Sequence, residues 1–447
     1  MIFSRNQGLS VQDTIPLASE QVEFLYSARE YHQRLLELIT TAKSRIYITA
    51  LYLQDDEAGR EVLTAIFDAK QTNPQLDVNI FVDFHRAQRG LIGEAESLGN
   101  RQLYLDMSAQ YEHKINIYGV PVKQREFLGV LHLKGFVIDD TLLFTGASIN
   151  NIYLHQGDKY RCDRYHLFYN ANLADSFVRF LNISFVNSDL APKLNADKVP
   201  GKKAVKGIVK RLKALLRGSG YQVTSSTTAA TDLSVMPLLG LGPRANKLNA
   251  TARKVFRIAK RELVIFTPYF NFPKPLTADL RKALKKGVKV TIVVGDKTAN
   301  DFYIADQEQF STICIVPYIY ETLLRNFIKR YQSFVDSGQL NIHLWKDGDN
   351  SYHLKGIVAD DTYHLITGSN LNPRAWSLDL ENGLMVNDQG QQLQSQWHRE
   401  RDMIMANTKR VNSIEDIESI NDYPDKPREL MRRIKLTQFD RVLKRFL

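Results

Sequence analysis

The chain has 447 residues and a hydrophobic content of 44%, enough to bury the core of two ordinary domains or of one large duplicated domain. Its two cysteines, Cys162 and Cys314, lie far apart and lack His or Cys neighbours at zinc-ligand spacing, which argues against a disulfide framework and a zinc site. Lysine and arginine number 59 against 49 aspartate and glutamate, and the net charge of +10 favours an anionic partner, either nucleic acid or an acidic membrane surface.

The predicted elements of the first half recur in the second. In each half, a helix end leads into a buried strand, a β-branched run follows, and a segment containing His-x-Lys comes last. The paired segments are 43–52 with 260–269, 78–83 with 288–295, and 131–140 with 352–361. Similar offsets at three places indicate a duplication. Strands that alternate with helices predict an α/β fold, in which each half has a mixed, largely parallel sheet flanked by helices.

A linker of different character separates the two halves. We predict the halves at 1–190 and 236–410, the linker at 191–235, and a basic helical segment at 411–447. Within the linker, residues 202–217 have the spacing of an amphipathic helix. Its apolar residues are Val205, Ile208, Val209, Leu212, Leu215 and Leu216. Its cationic residues are Lys202, Lys203, Lys206, Lys210, Arg211, Lys213 and Arg217.

This predicted helix is the leading candidate for membrane contact. No apolar run approaches 18 residues, and the start of the chain lacks the features of a secretory signal. We therefore expect a cytoplasmic protein that associates peripherally with the anionic inner face of the cell membrane, with the apolar side of the helix toward the acyl chains. The alternative is that this side packs on the protein core and only the lysines meet solvent.

Two copies of one eight-residue pattern carry the residues best suited to catalysis. His132 and Lys134, and likewise His353 and Lys355, stand two residues apart on predicted strands, so each imidazole lies beside an ammonium group. A lysine holds anionic oxygens, while a neutral imidazole attacks phosphorus or transfers a proton near neutral pH. We predict that the duplication brings both pairs to a pseudo-twofold interface, where they act on one phosphoryl group.

The paired His-x-Lys-x-x-x-x-Asp motifs resemble those of the phospholipase D superfamily, and the resemblance covers nearly the whole chain. It implies a duplicated phospholipase D-like fold with the active site between the halves. A narrower resemblance is to the Gram-negative type of phosphatidylserine synthase. The segments that carry the narrower match are 82–90, 129–135, 153–160, 295–303 and 370–376.

The resemblance also implies roles for residues beyond the paired motifs. The family has an acidic residue that orients a catalytic histidine, and Asp163 and Glu381 are the candidates here. Asp139 and Asp360 complete the catalytic motifs, and we expect them to brace the local backbone rather than contact substrate. A Gly-Ser-x-Asn turn that holds phosphate has its counterparts near the end of each motif. The candidate residues are Ser148, Asn150, Ser369, Asn370, Asn372 and Arg374.

Two charged loops are further candidates for binding substrate, the first of them for the nucleotide or pyrophosphate. Both follow predicted strands, where ligand sites of α/β folds tend to lie. The alternative is that these loops are simply solvated. The candidate residues are His85, Arg86 and Arg89 in the first loop, and Asp296, Lys297, Asn300 and Asp301 in the second.

The narrower resemblance implies a two-step exchange on CDP-diacylglycerol. His132 attacks phosphorus, CMP departs, and L-serine then takes the phosphatidyl group with His353 as acid and base. Lys134 and Lys355 stabilise the transition state, and neither a metal nor another cofactor is implied. The alternatives are a cardiolipin synthase or phospholipase D, a nuclease, and an inactive membrane-binding scaffold. Separate basic amphipathic segments favour lipid over nucleic acid.

Overall fold

The computed structural model describes residues 14–89, 99–224, 232–306, 308–437, 443–444 and 447. Within these ranges, two large mixed sheets flanked by helices form the two halves. The start of the chain, part of the predicted linker at 225–231, and much of the end of the predicted C-terminal segment lie outside the described residues. Among the described residues, no helix has both the length and the apolar composition needed to cross a bilayer.

The helices begin where a polar side chain replaces the missing backbone partners. Ser27, Asp56, Asn170 and Asn246 precede four of them, and each side chain accepts a hydrogen bond from the backbone N–H three residues later. The helices are α1 (Ala28–Thr40), α2 (Glu57–Thr72), α3 (Asn100–Gln110), α4 (Ala171–Leu181), α5 (Lys202–Leu216), α6 (Lys247–Ile258), α7 (Lys274–Lys285), α8 (Val316–Asp336), α9 (Pro373–Ser377), α10 (Gln394–Ala406) and α11 (Asp425–Leu436).

The central strands are nearly continuous apolar runs, as expected for sheets covered on both faces. The strands are β1 (Ile15–Pro16), β2 (Val22–Leu25), β3 (Arg45–Thr49), β4 (Asp77–Asp83), β5 (Asn116–Val120), β6 (Leu131–His132), β7 (Gly135–Ile138), β8 (Thr141–Thr145), β9 (Arg161–Cys162), β10 (Tyr165–Tyr169), β11 (Leu233–Leu241), β12 (Glu262–Thr267), β13 (Lys289–Gly295), β14 (Leu340–Trp345), β15 (Ser351–Tyr352), β16 (Gly356–Ala359), β17 (Tyr363–Thr367), β18 (Leu380–Asp388) and β19 (Thr408–Val411).

The strand order confirms the predicted duplication. The first sheet contains the order β10-β8-β7-β3-β4-β5, and the second contains β18-β17-β16-β12-β13-β14. Corresponding neighbours pair in the same direction in both sheets. Two halves with one topology therefore carry the two copies of the motif at equivalent places.

The sheets are mixed, as predicted, but the expectation that they are largely parallel is wrong. Within each half, parallel pairing is confined to β3-β4-β5 and to β12-β13-β14. The strand after each His-x-Lys returns at once through a short turn, at 139–140 and 360–362, and a tight turn joins antiparallel neighbours only.

The first half contributes strands to the sheet of the second half. β1 pairs with β11, and β6 pairs with β18, so two strands from the first half belong to the second sheet. A large buried cluster also joins the halves and includes Leu131, Phe144, Leu380 and Trp397. The strand β11 already begins at Leu233, inside the predicted linker. The interface is therefore part of the core.

The helix α5 is present as predicted, but the expected orientation of its apolar side toward lipid is wrong. Leu215 is 37% exposed. The other apolar residues pack into the protein core and are Val205, Ile208, Val209, Leu212 and Leu216. Packing against the protein core removes these apolar side chains from water, just as contact with acyl chains would. The cationic side remains exposed and comprises Lys202, Lys203, Lys206, Lys210, Arg211, Lys213 and Arg217.

Candidate active site

Both motif histidines are held by strands that pair across the halves. β6 runs parallel to β18, with His132 opposite Glu381. β15 runs parallel to β9, with Tyr352 opposite Cys162, and the next amide, that of His353, donates to the Cys162 carbonyl at 2.9 Å. Each histidine is therefore held against a strand of the other half. For His132 this strand carries Glu381, and for His353 it leads directly into Asp163.

The acidic partners also cross the halves. Nδ1 of His132 lies 2.9 Å from Oε2 of Glu381, and Nδ1 of His353 lies 2.8 Å from Oδ2 of Asp163. All four side chains are at least nine-tenths buried. A carboxylate at Nδ1 sets the orientation of the ring and leaves the chemistry to Nε2. The two predicted acids thus contact the motif histidines, each from the opposite half.

Burial keeps both imidazoles neutral. Burial, reinforced by the charge of Lys134, holds the pKa of His132 well below its usual range, and burial with Lys355 does the same for the pKa of His353. Burial also raises the pKa of Glu381 to about 8, which favours a proton shared with His132 over a full ion pair. A neutral imidazole is the form that attacks phosphorus or accepts a proton.

The two motif lysines are almost wholly buried beside the histidines. Lys134 and Lys355 are each 1% exposed. Nζ of Lys134 donates to Oγ of Ser148 at 3.4 Å, whereas Nζ of Lys355 contacts Nδ1 of His353 and lies 3.6 Å from Oδ2 of Asp163. The charge of each lysine also lowers the pKa of the histidine in the other motif. The two motifs therefore form one electrostatic site.

From the two buried lysines we predict that the affinity of the site for anions falls as the pH rises. Burial lowers the pKa of Lys355 to about 7 and that of Lys134 to about 8, so the free site loses charge as the pH rises through this range. A bound anion favours the ammonium form, and binding therefore takes up protons. We expect sulfate, whose charge is constant here, to bind at least about tenfold more weakly at pH 9 than at pH 7.

Isothermal titration in two buffers of different ionisation enthalpy measures both the affinity and the proton uptake. The variant Lys355→Met, tested at the same pH values, should show a smaller dependence because one of the two titrating groups is gone. Wild-type affinity that is constant from pH 7 to pH 9 would contradict the assignment.

Two glycines make room for the site. A Cβ on Gly146 would lie 2.7 Å from Oδ1 of Asp163, and a Cβ on Gly368 would lie 2.7 Å from Cγ of Lys134. Both contacts are too short for any larger residue. The glycine of each predicted turn therefore lets a functional side chain approach the backbone: that of Asp163 within the first half, and that of Lys134 across the two halves.

The sequence analysis missed two residues that hold the motif strand of the first half. Asn382 is fully buried, accepts from the amide of Lys134 at 2.8 Å and donates to its carbonyl at 2.7 Å. Asp83 accepts from the amide of Leu131 at 2.9 Å. The sequence offered one signal for each residue. Asn382 directly follows the predicted acid Glu381, and Asp83 is the last residue of a buried strand.

Asp139 and Asp360 brace the backbone, as the sequence analysis expected of these two motif residues. Asp139 accepts hydrogen bonds from the amides of residues 43, 44 and 45, and Asp360 accepts from those of 260, 261 and 262. Each aspartate thus ties the turn after its motif to the first residues of a central strand. This role needs a short acceptor in a turn with positive φ, which aspartate tolerates.

Comparison with known proteins supports this geometry. The profile described as "Cardiolipin synthase, PLD-like domain" matches residues 35–153 and 253–404. A CDP-diacylglycerol–serine O-phosphatidyltransferase from Haemophilus influenzae is 44% identical over 99% of this chain and 98% of its own. The enzyme of that name from Escherichia coli is 43% identical over 100% of this chain and 99% of its own. The chain belongs to the phospholipase D-like family.

The resemblance extends to three dimensions. The crystal structure of phosphatidylserine synthase from Haemophilus influenzae superimposes with a TM-score of 0.94, at 44% identity, over 97% of each chain. The duplicated phospholipase D-like fold predicted from the paired motifs is thereby confirmed, and so is the narrower resemblance.

The predicted turn residues of this phospholipase D-like protein lie beside the site, several of them with structural partners. Asn150 accepts from the amide of Tyr153 at 3.0 Å, and Asn372 caps α9. Ser369 is buried, and Oδ1 of Asn370 is buried without a hydrogen-bond partner among the described residues. Asn370 is therefore the residue of this set whose side-chain oxygen is best placed to accept a hydrogen bond from a substrate.

The remaining charged candidates, from the first loop and the second turn, each have a partner within the protein. Arg374 contacts Asp379 at 3.3 Å, and its charge lowers the pKa of His132, which places it near that histidine. Arg89 forms an ion pair with Glu126. His85 bonds the carbonyl of residue 123 through Nε2, and Arg86 stacks over the ring of residue 52. Substrate contact by these residues stays a prediction.

The second predicted loop divides into two groups. Asp296 caps its own turn, accepting from the amide of residue 298, and Asn300 likewise accepts from the amide of residue 302. Lys297 contacts Glu321 at 3.0 Å and also Glu418. These contacts are structural. Asp301, in contrast, acts electrostatically on His353 in the active site.

Proposed function

We infer that the protein is a CDP-diacylglycerol–serine O-phosphatidyltransferase, which forms phosphatidylserine and CMP from CDP-diacylglycerol and L-serine. The observation that carries this conclusion is identity of 43–44% along essentially the whole chain with enzymes of that name. The crossed pairs of histidine and acid, with two buried lysines, support the chemistry of the inference. Transfer through a covalent phosphohistidine fits this set of groups.

The first step uses His132 as the nucleophile. Its Nε2 forms a bond to the phosphorus that bears the diacylglycerol, and the bond from that phosphorus to the oxygen of CMP breaks. Glu381 accepts the Nδ1 hydrogen bond and stabilises the positive charge that develops on the ring. Once His353 has taken a proton from serine in a preceding turnover, it can return that proton to the leaving phosphate.

The second step reverses the first with a new acceptor. Nε2 of His353 takes the proton of the serine hydroxyl, the serine oxygen attacks phosphorus, and the bond between phosphorus and His132 breaks. Lys134 and Lys355 stabilise the charge on the equatorial oxygens in both steps, because their ammonium groups are fixed in a site with little water.

The assay that tests the function uses purified protein and CDP-diacylglycerol in mixed micelles, with and without L-serine. We expect phosphatidylserine and CMP in equal amounts when serine is present. Phosphatidic acid as the dominant product with serine present would favour a phospholipase D. Transfer to phosphatidylglycerol but not to serine would favour a cardiolipin synthase.

The two lysines lead to a prediction about metals. Because Lys134 and Lys355 supply the positive charge that a metal often supplies, dialysis against EDTA is expected to leave the rate of serine transfer unchanged within about twofold. The initial rate before and after dialysis checks this. Loss of activity that magnesium or manganese restores would overturn it.

We also propose that the protein docks reversibly on the inner face of the cell membrane through the exposed cationic side of α5. The substrate has acyl chains that stay in a bilayer, and the six lysines and arginines of this helix, with Arg217 directly after it, face solvent. Each cation near an anionic surface contributes about 1 kcal/mol. Because the apolar side of α5 is buried in the protein, the contact is electrostatic.

Flotation with anionic vesicles tests the docking. We expect the variant with glutamine at Lys206, Lys210, Arg211 and Lys213 to lose most of its binding, and wild-type binding to fall as salt rises. A matched control replaces four exposed lysines elsewhere, at 282, 285, 286 and 289. If the α5 variant floats as well as wild type, the surface of α5 is not the anchor.

A further inference from the structure

A second group of charged and aromatic residues adjoins His353 and has no part in the steps above. It consists of Tyr153 and Arg161 from the first half and Tyr269 and Asp301 from the second. We propose that Arg161 and Asp301 form the subsite for the acceptor amino acid, in which Arg161 binds its α-carboxylate and Asp301 its α-ammonium group. The proposal rests on the proposed function, since it concerns the acceptor of that reaction.

The two charges lie side by side in a defined arrangement. Nη2 of Arg161 is 2.7 Å from Oδ1 of Asp301. The hydroxyl of Tyr269 donates to Oδ2 of Asp301 at 3.1 Å, and Nε of Arg161 donates to Oγ of Ser351 at 3.0 Å. The side chains are 11% and 20% exposed, respectively. The pair is therefore held by neighbours on both sides and keeps part of its surface in contact with solvent.

Tyr153 places this pair next to the proposed base. Its hydroxyl lies 3.0 Å from Nδ1 and 3.2 Å from Nε2 of His353, and the guanidinium of Arg161 stacks 4.6 Å from the centre of its ring. The charges of Asp301 and Arg161 also act on the pKa of His353, in opposite directions. An acceptor bound by the pair would thus have its hydroxyl beside His353.

The chemistry of the pair matches an α-amino acid. Such a molecule carries an ammonium and a carboxylate on one carbon, so its complement is one anion and one cation side by side. The arginine fork suits a carboxylate, and the carboxylate suits an ammonium. Binding exchanges one ion pair within the protein for two with the ligand, and the total charge stays zero. Water and glycerol offer neither charge and gain nothing from this subsite.

Kinetics of two variants tests the assignment. We expect Asp301→Asn and Arg161→Lys each to raise the KM for L-serine about 10- to 100-fold while the KM for CDP-diacylglycerol changes by less than about threefold. CMP release in the absence of serine should change far less than transfer to serine. L-alanine, which has both charges but no hydroxyl, should inhibit the wild type competitively against serine, and both variants should lose this inhibition.

The competing explanation is that the pair only clasps the two halves together. Asp347→Asn is the matched control, because it removes a carboxylate of the second half that bonds the hydroxyl of Tyr160, the residue before Arg161. A clasp predicts equal losses in CMP release and serine transfer for Asp301→Asn and Asp347→Asn, together with lower melting temperatures, and this result would overturn the proposal. So would a serine KM within twofold of wild type in both subsite variants.

Failure of the proposed function and failure of the proposed subsite give different experimental results. If wild-type protein makes no phosphatidylserine, the proposed function is wrong. If wild-type protein makes it and Asp301→Asn retains the serine KM and the inhibition by L-alanine, the function stands and the subsite is wrong.

Discussion

Replacing His132 with alanine is expected to abolish phosphatidyl transfer, with a loss of about 10⁴-fold or more, because no other group on the proposed path can form the bond to phosphorus. The variant His353→Ala is expected to behave differently. CMP is a tolerable leaving group, so this variant should release up to one CMP per enzyme and retain the lipid covalently, while turnover with serine falls about 10²- to 10⁴-fold.

The measurement uses lipid labelled in its phosphate. Reactions are stopped in alkaline detergent, since acid hydrolyses a bond between phosphorus and nitrogen, and protein-bound label is counted. His398→Ala is the control, because this partly exposed histidine contacts Asp361 and lies in neither motif. Label held by His132→Ala but not by His353→Ala would reverse the two roles.

Replacing either buried acid with its amide is expected to impair one of the two steps, and a different step in each variant. Glu381→Gln should slow the single-turnover release of CMP about 10²- to 10⁴-fold, because an amide can neither share a proton with His132 nor carry the negative charge that stabilises its imidazolium. Asp163→Asn should leave CMP release largely intact and slow transfer to serine by a similar factor, because its partner is His353. Rapid-quench kinetics of the two half-reactions checks both expectations.

This pair of variants tests the crossed geometry specifically. If each acid supported the histidine of its own half, the two phenotypes would be exchanged. Thermal melting of both variants identifies any loss of fold, since the side chains of both acids are buried. Equal impairment of both steps in each folded variant would mean that the acids act on the site as a whole.

The sequence by itself determined the duplication and the chemical groups of the site. The order of residues in a repeat is a covalent property, so the two copies of His-x-Lys-x-x-x-x-Asp, and the strands around them, could be read without coordinates. That Asp139 and Asp360 brace the backbone could also be predicted, because each follows its motif in a turn. The amides that they bind lie 96 and 100 residues away in the chain, respectively, and only the tertiary structure shows them.

Only the tertiary structure decided which acid serves which histidine. Glu381 is 249 residues from His132, and Asp163 is 190 residues from His353. No pattern within one half predicts that the motif strands leave their own half to pair with the other. The same holds for Asn382 and for the pair of Arg161 with Asp301, whose partners come together only when the halves dock.

The helix α5 shows the same division between sequence and structure. Its spacing determined that one side is apolar and the other cationic. The spacing is identical whether the apolar side meets lipid or protein, because both remove it from water. The packing of Val205, Leu212 and Leu216 into the core settled the question, and it left the cations as the part of the helix that faces outward.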